Sequence, residues 1–175
     1  NQHEYKVMGL APYYNGPLTK QVENVFDNML KNVGINFEFN NQIKDIYDYL
    51  NTNLRYFRFD HIASGLQSFT EKILVNWFSQ TVKEFGCSNV VYSGGVSMNV
   101  KANMKISQIP KIEKMFVAGS GGDETLSIGA CYHVAEKNGI KTKPLSNMYL
   151  GSDANYNEND ISSLSQYKIT KFTNV

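Results

Sequence analysis

The chemistry this sequence can show is carried by two glycine-rich loops, each directly behind a short apolar run and directly ahead of a helical pattern. In VVYSGGVSMN, Gly94 and Gly95 stand where a strand gives way to a helix. Two missing Cβ atoms let the backbone come close to a flat or anionic ligand. The N–H groups of the following helix add donors and a partial positive charge. That combination suits a nucleotide, while a GG turn serves equally as a tight connection with no ligand. The loop is neither a Walker loop nor a dinucleotide fingerprint. In VAGSGGDETLSIG, Gly121 and Gly122 repeat the arrangement, now followed by Asp123 and Glu124. By position alone Asp123 reads as a helix N-cap, with Glu124 in the first turn where the helix dipole favours it. The alternative makes Asp123 a ligand for a divalent cation facing a nucleotide cleft, and its hard oxygen suits iron, manganese or magnesium.

Regular elements must hold these loops. The longest periodic segment is DHIASGLQSFTEKILVNWFSQTVKEFG, where Ile62, Leu66, Phe69, Ile73, Trp77, Phe78, Val82 and Phe85 line one face. It predicts one long core helix, capped by Asp60 at its start and stopped by Gly86. Behind it NVVYS is a strand running into Gly94-Gly95, VSMNVKANMKISQI a helix ending near Pro110, and KMFV a second strand running into the second loop. A last helix then ends at Gly139. Upstream, Leu18 to Val33 carries helical spacing up to Gly34, INFEFN alternates like a half-buried strand, and IKDIYDYLN returns to helical spacing. Strand, glycine turn and helix, twice over, predict an α/β fold with a largely parallel sheet and flanking helices. In such folds ligands favour the carboxyl ends of the strands.

The remaining polar residues are less eloquent. EYKVMGLAPYYNG, with Lys6, a proline and three tyrosines, reads as an irregular loop; such loops often bind ligands, but at the edge of a chain they are more often only a surface connection. His61 adjoins Asp60 at a helix start, and His3 and His133 have no partner at ligand spacing. YKITKFTNV, at the end of an Asn/Ser/Asp-rich tail, reads as a further strand.

At 175 residues, 42% hydrophobic, with a formal charge of +1 and no dense Lys/Arg block, the chain has the makings of one globular core and no electrostatic footprint for nucleic acid or an anionic membrane. No apolar run is long enough for a membrane span. Cys87 and Cys131 are far apart and form no CxxC pair, so a reducing cytoplasm is the default compartment. The chain begins at Asn1 without an initiator Met and reads as an excised piece of a longer protein.

Taken in series, EYKVMGLAPY, FDHIASGLQ, VVYSGGVSMNVKANM, IPKIEKMFV, GDETLSIGA and NMYLG follow the order and rough spacing of a known family. Over roughly residues 4 to 151 the sequence resembles the nodulation and antibiotic O-carbamoyltransferases, the family of the cephalosporin and tobramycin carbamoylating enzymes. The resemblance implies the actin, sugar-kinase and chaperone-ATPase fold. Residues 1–150 would be the second half of the main domain, and 151–175 a linker or the start of a following synthase-like domain. It also implies a reaction in which ATP and carbamoyl phosphate give carbamoyl-adenylate, whose carbamoyl group passes to a small-molecule or oligosaccharide hydroxyl at a site holding Fe(II) or another divalent metal. Residue by residue, Gly94, Gly95 and Asn99 match the element that holds the adenosine, with Gly121 and Gly122 in the facing loop, and Asp123 matches the carboxylate of the metal site. Glu124 stands where many relatives have a smaller residue. The metal's histidine ligands are expected outside this chain, and no residue here is an obvious general base. A homodimer is left open, as are two other functions: a sugar-kinase or ATPase type of phosphotransferase, and a non-catalytic binding domain of the same fold.

Overall fold

Helix α4, Phe59–Phe85, is the longest element and supplies the largest share of the core. The computed structural model describes residues 3–149 together with Gly151 and Gln166. The order is α1 (Glu4–Leu10), a 3-10 turn (Ala11–Tyr13), α2 (Pro17–Met29), β1 (Leu30–Val33), β2 (Asn36–Phe39), α3 (Ile46–Leu54) and α4. Then come β3 (Asn89–Tyr92), a 3-10 turn (Gly95–Met98), α5 (Val100–Ser107), β4 (Lys114–Val117), a 3-10 turn (Asp123–Thr125) and α6 (Leu126–Lys137).

The apolar stripe of α4 buries Phe69, Ile73, Phe78 and Val82 against Val22 and Phe26 of α2, Tyr92 of β3, and Ala102 and Ile106 of α5. Aromatic contacts run through this core, Phe26 to Phe69 at 5.7 Å and Phe78 to Tyr92 edge-on at 5.1 Å. Offset and edge-on pairs of this kind add a little beyond the area they bury. Gly65 stands where α2 crosses α4, and a Cβ there would run into the side chain of Val22 and the backbone of Glu23. Glycine is therefore what lets the two helices approach.

The sequence reading of several boundaries is corrected by local physics. The helix expected to run to Val33 ends at Met29, because Leu30–Val33 pairs antiparallel with Asn36–Phe39 through a turn at Gly34, whose φ is +59°. Trp77 of α4 donates its indole N–H to the Ile35 carbonyl at 2.9 Å and anchors that hairpin. Asp60 is not the cap of α4. Arg58 holds that position, and Asp60 instead accepts from the Arg58 guanidinium at 3.1 and 2.9 Å. Gly86 does end the helix, in the left-handed conformation. The stretch read as an irregular loop, EYKVMGLAPYYNG, holds α1 and the first 3-10 turn, both laid on α4 with Ala11 buried. A seven-residue helix containing Gly9 has little intrinsic stability, so packing and not propensity forms it.

The expected largely parallel sheet is present among the described residues as one parallel pair, β3 and β4, with the antiparallel hairpin as a separate two-stranded sheet. Strands joined by a tight turn pair antiparallel, while the crossover through α5 makes β3 and β4 parallel. Their register sets Val91 opposite Phe116 and Tyr92 opposite Val117. Val91 and Phe116 face outward, 78% and 63% exposed, while Val90, Tyr92, Met115 and Val117 pack toward the core. The architecture is thus mixed α/β with small sheets and predominant helix. The segment expected to form a linker or following domain from 151, and the strand expected at YKITKFTNV, lie outside the described residues apart from Gly151 and Gln166.

Candidate functional site

Both glycine loops emerge from the carboxyl ends of β3 and β4, and because the strands are parallel neighbours the loops emerge side by side. They touch. Gly121 is buried, and a Cβ on it would overlap the carbonyl oxygen of Gly94 and the hydroxyl of Ser97. Ser97 is fully buried at this contact, and its hydroxyl has no hydrogen-bond partner among the described residues. Its carbonyl accepts from the Asn103 amide at 2.6 Å, which ties the turn to α5. Gly94 has φ +103°, a conformation closed to most side chains, and its carbonyl receives the Ser97 N–H at 2.9 Å to make the 3-10 turn. Gly95 differs. No atom lies within 4 Å of where its Cβ would be, so the backbone there borders open space into which a ligand fits.

Asn99 ends this turn and caps α5, its side-chain oxygen accepting the Ala102 N–H at 3.1 Å. The single helix expected across VSMNVKANM is therefore a 3-10 turn, a cap and then α5. Asn99 also exchanges two hydrogen bonds with Gln67 of α4, at 2.9 and 3.0 Å. Its side chain thus holds the loop in place, and the open backbone belongs to the glycines.

The second loop is braced from within. Ser120 donates to the Glu124 carboxylate at 2.7 Å, and Thr125 donates to the carbonyls of Ser120 and Gly122. The Ser120 hydroxyl, with help from the Glu124 backbone N–H, holds the Glu124 carboxyl below the usual carboxylate range. The Asp123 carboxylate, by contrast, is on an exposed residue and has no hydrogen-bond or ion-pair partner among the described residues. It is not the N-cap expected from its position. Gly122 precedes the 3-10 turn, Thr125 precedes α6, and neither end has a side-chain cap. A free carboxylate on a glycine loop is compatible with a metal ligand. No cluster of three or more His, Cys, Asp or Glu residues able to hold a metal forms among the described residues. His61 makes a tilted ring contact with Tyr14, centroids 4.2 Å apart.

The profile of the carbamoyltransferase N-terminus matches residues 1–132, which takes in α1 through the start of α6 and both loops. The chain belongs to the carbamoyltransferase family. It is also 28% identical over 153 residues to an uncharacterized protein of Synechocystis, an alignment that covers 77% of this chain and 24% of that protein. The chain thus spans about a quarter of that relative's length. Among the described residues no helix is long and apolar enough to cross a membrane.

Within this carbamoyltransferase chain a polar network between α2 and α4 lies beside the loops, and the sequence reading did not single it out. Glu23, 6% exposed, accepts from Lys20 at 2.7 Å, Lys72 at 2.6 Å and Ser68 at 2.7 Å. Burial pushes the Glu23 carboxyl up, but these three donors outweigh it and hold the group at about 2, ionised across the neutral range. Glu71, 7% exposed, pairs with Lys105 of α5 and accepts from Gln67 at 2.7 Å. Ser64, Gln67, Ser68, Glu71 and Lys72 recur three or four residues apart and so share one flank of α4. That polar stripe beside the apolar one was the available signal.

Proposed function

We propose that this chain is the nucleotide-holding part of an O-carbamoyltransferase that passes a carbamoyl group from carbamoyl-adenylate to a substrate hydroxyl. The observation that supports this most is the meeting of two glycine loops at the ends of two parallel strands, with Gly95 open and Asp123 unpartnered. In this reading Gly94, Gly95, Gly121 and Gly122 offer backbone to the adenosine and its phosphate, and Asn99 fixes their geometry. The surrounding fold is the half-domain of actin and sugar-kinase type implied by the resemblance, with residues 151–175 assigned to a linker or the start of a following domain. The acceptor oxygen attacks the carbamoyl carbon, the bond from that carbon to the adenylate phosphate oxygen breaks, AMP leaves and the hydroxyl proton is released. A divalent cation at Asp123, Fe(II) in the family pattern, would supply polarisation of the carbamoyl carbonyl. The further ligands of such a site, the acceptor's binding groups and the machinery that makes carbamoyl-adenylate from ATP and carbamoyl phosphate lie outside the described residues.

The test is transfer by the full-length polypeptide supplied with Fe²⁺, carbon-labelled carbamoyl phosphate, γ-phosphate-labelled ATP and a panel of aminoglycoside, oligosaccharide and cephem alcohols. Carbamoyl label is expected on one class of acceptor, with AMP formed in step. Phosphate label on the acceptor instead would move the protein to the sugar-kinase type, and no label on any acceptor would leave it a binding domain. Either result overturns the proposal.

A further inference from the structure

The Gln67–Asn99 pair has a property that few side-chain contacts share, because every polar atom in it is committed. One Gln67 amide proton goes to Asn99 Oδ1 at 3.0 Å and the other to the Glu71 carboxylate at 2.7 Å, while Gln67 Oε1 receives Asn99 Nδ2 at 2.9 Å. The direction is fixed at both ends. Asn99 must turn its oxygen toward the Ala102 N–H to cap α5, which leaves its nitrogen for Gln67. Glu71, held by Lys105, can only accept, which orients the Gln67 nitrogen. Asn99 directly follows the Gly95–Met98 turn and donates its own N–H to the Val96 carbonyl at 3.0 Å. The amide pair therefore fastens the first glycine loop to the N-terminal third of α4 independently of β3.

We propose that Gln67 is a positioning residue for the nucleotide loop, holding the Gly94–Asn99 backbone in the conformation that receives the ligand. The inference rests on the reading of that loop as nucleotide-binding and adds to it a residue that touches no ligand. Only glutamine fits the role. Glutamate cannot donate and would set a second negative charge beside Glu71, and an aliphatic residue of the same length can do neither. A loop released from this tie must be ordered by the ligand itself, which weakens binding without altering the chemical step.

The experiment uses the full-length polypeptide and 8-azido-AMP as a photoactivated probe, read as the concentration giving half-maximal labelling alongside melting temperature and kcat at saturating substrate. Gln67→Met removes both hydrogen bonds to Asn99 and is expected to raise half-saturation about tenfold, with kcat within about twofold and the protein fully folded at the assay temperature. Thr70→Val removes a side-chain hydrogen bond of the same helix that does not reach the loop and is expected to stay near the unmodified protein, so the two variants separate loop positioning from general loss of packing. Gly95→Val, which crowds the ligand directly, serves as the reference. If it weakens labelling and Gln67→Met does not, the positioning role is wrong although the loop binds nucleotide. If Gly95→Val leaves labelling unchanged, the loop is not the nucleotide site and the proposal falls with that reading. A Gln67→Met variant that loses melting temperature with unaltered half-saturation would assign Gln67 to stability alone.

Discussion

Gly121→Ala is expected to destabilise the protein by about 1–3 kcal/mol and to abolish nucleotide labelling, although it adds a single methyl group to a loop. The methyl would sit inside contact distance of the Gly94 carbonyl and the buried Ser97 hydroxyl. One of these is backbone held in the 3-10 turn by the Ser97 N–H, and the other has no freedom because Ser97 is fully buried. Neither can swing aside as the end of a long side chain would, so the loops must part. Gly95→Val, in the facing loop, places its Cβ where no protein atom lies within 4 Å and at a residue without a positive φ, so the fold should persist while the ligand is excluded. Thermal unfolding and probe labelling of the two variants side by side check this. A Gly121→Ala protein that melts and labels like its parent would mean that the contact between the loops is not tight in solution.

Asp123→Asn should separate the two readings of that residue with a large effect on one quantity and almost none on another. Because the Asp123 side chain caps neither the 3-10 turn nor α6 and has no partner among the described residues, melting temperature should move by less than about 1 °C. If the carboxylate is a ligand, exchanging it for a neutral amide should cost on the order of 100-fold in metal affinity, since even outer-sphere partners of a metal are worth 10- to 100-fold. Elemental analysis of purified full-length protein is the readout. Iron retained in stoichiometric amount by Asp123→Asn would remove Asp123 from the metal site.

The elements that were legible in the sequence are those that carry their own periodicity. Helix α4 announces itself through its apolar stripe, and β3 and β4 through compact apolar runs ending in glycine, so the placing of both loops at strand ends was readable. What was not legible depends on contacts distant in sequence. Helix α1 is stabilised by lying on α4, some sixty residues away, and its Gly9 and Pro12 argue locally for a loop. The end of α2 at Met29 depends on β1 finding β2, since Leu30 and Val33 fit either period. Asn99 is one such case: the sequence reading ran a single helix through it and missed its place as a cap, and its exchange with Gln67, 32 residues earlier, leaves no local signal. Asp123 was placed on the right loop, but its freedom from capping emerged only with the 3-10 geometry.

If the two glycine loops together form one face of a nucleotide site, a photoaffinity label should map to both of them. The full-length polypeptide would be irradiated with 8-azido-AMP, digested with trypsin, and the labelled peptides identified by mass spectrometry with unmodified AMP as competitor. Cleavage after lysine puts the first loop in the peptide spanning 84–101 and the second in the peptide spanning 115–137. Saturable, competed label is expected on both peptides. Competed label confined to other parts of the polypeptide, with neither of these two modified, would contradict the account.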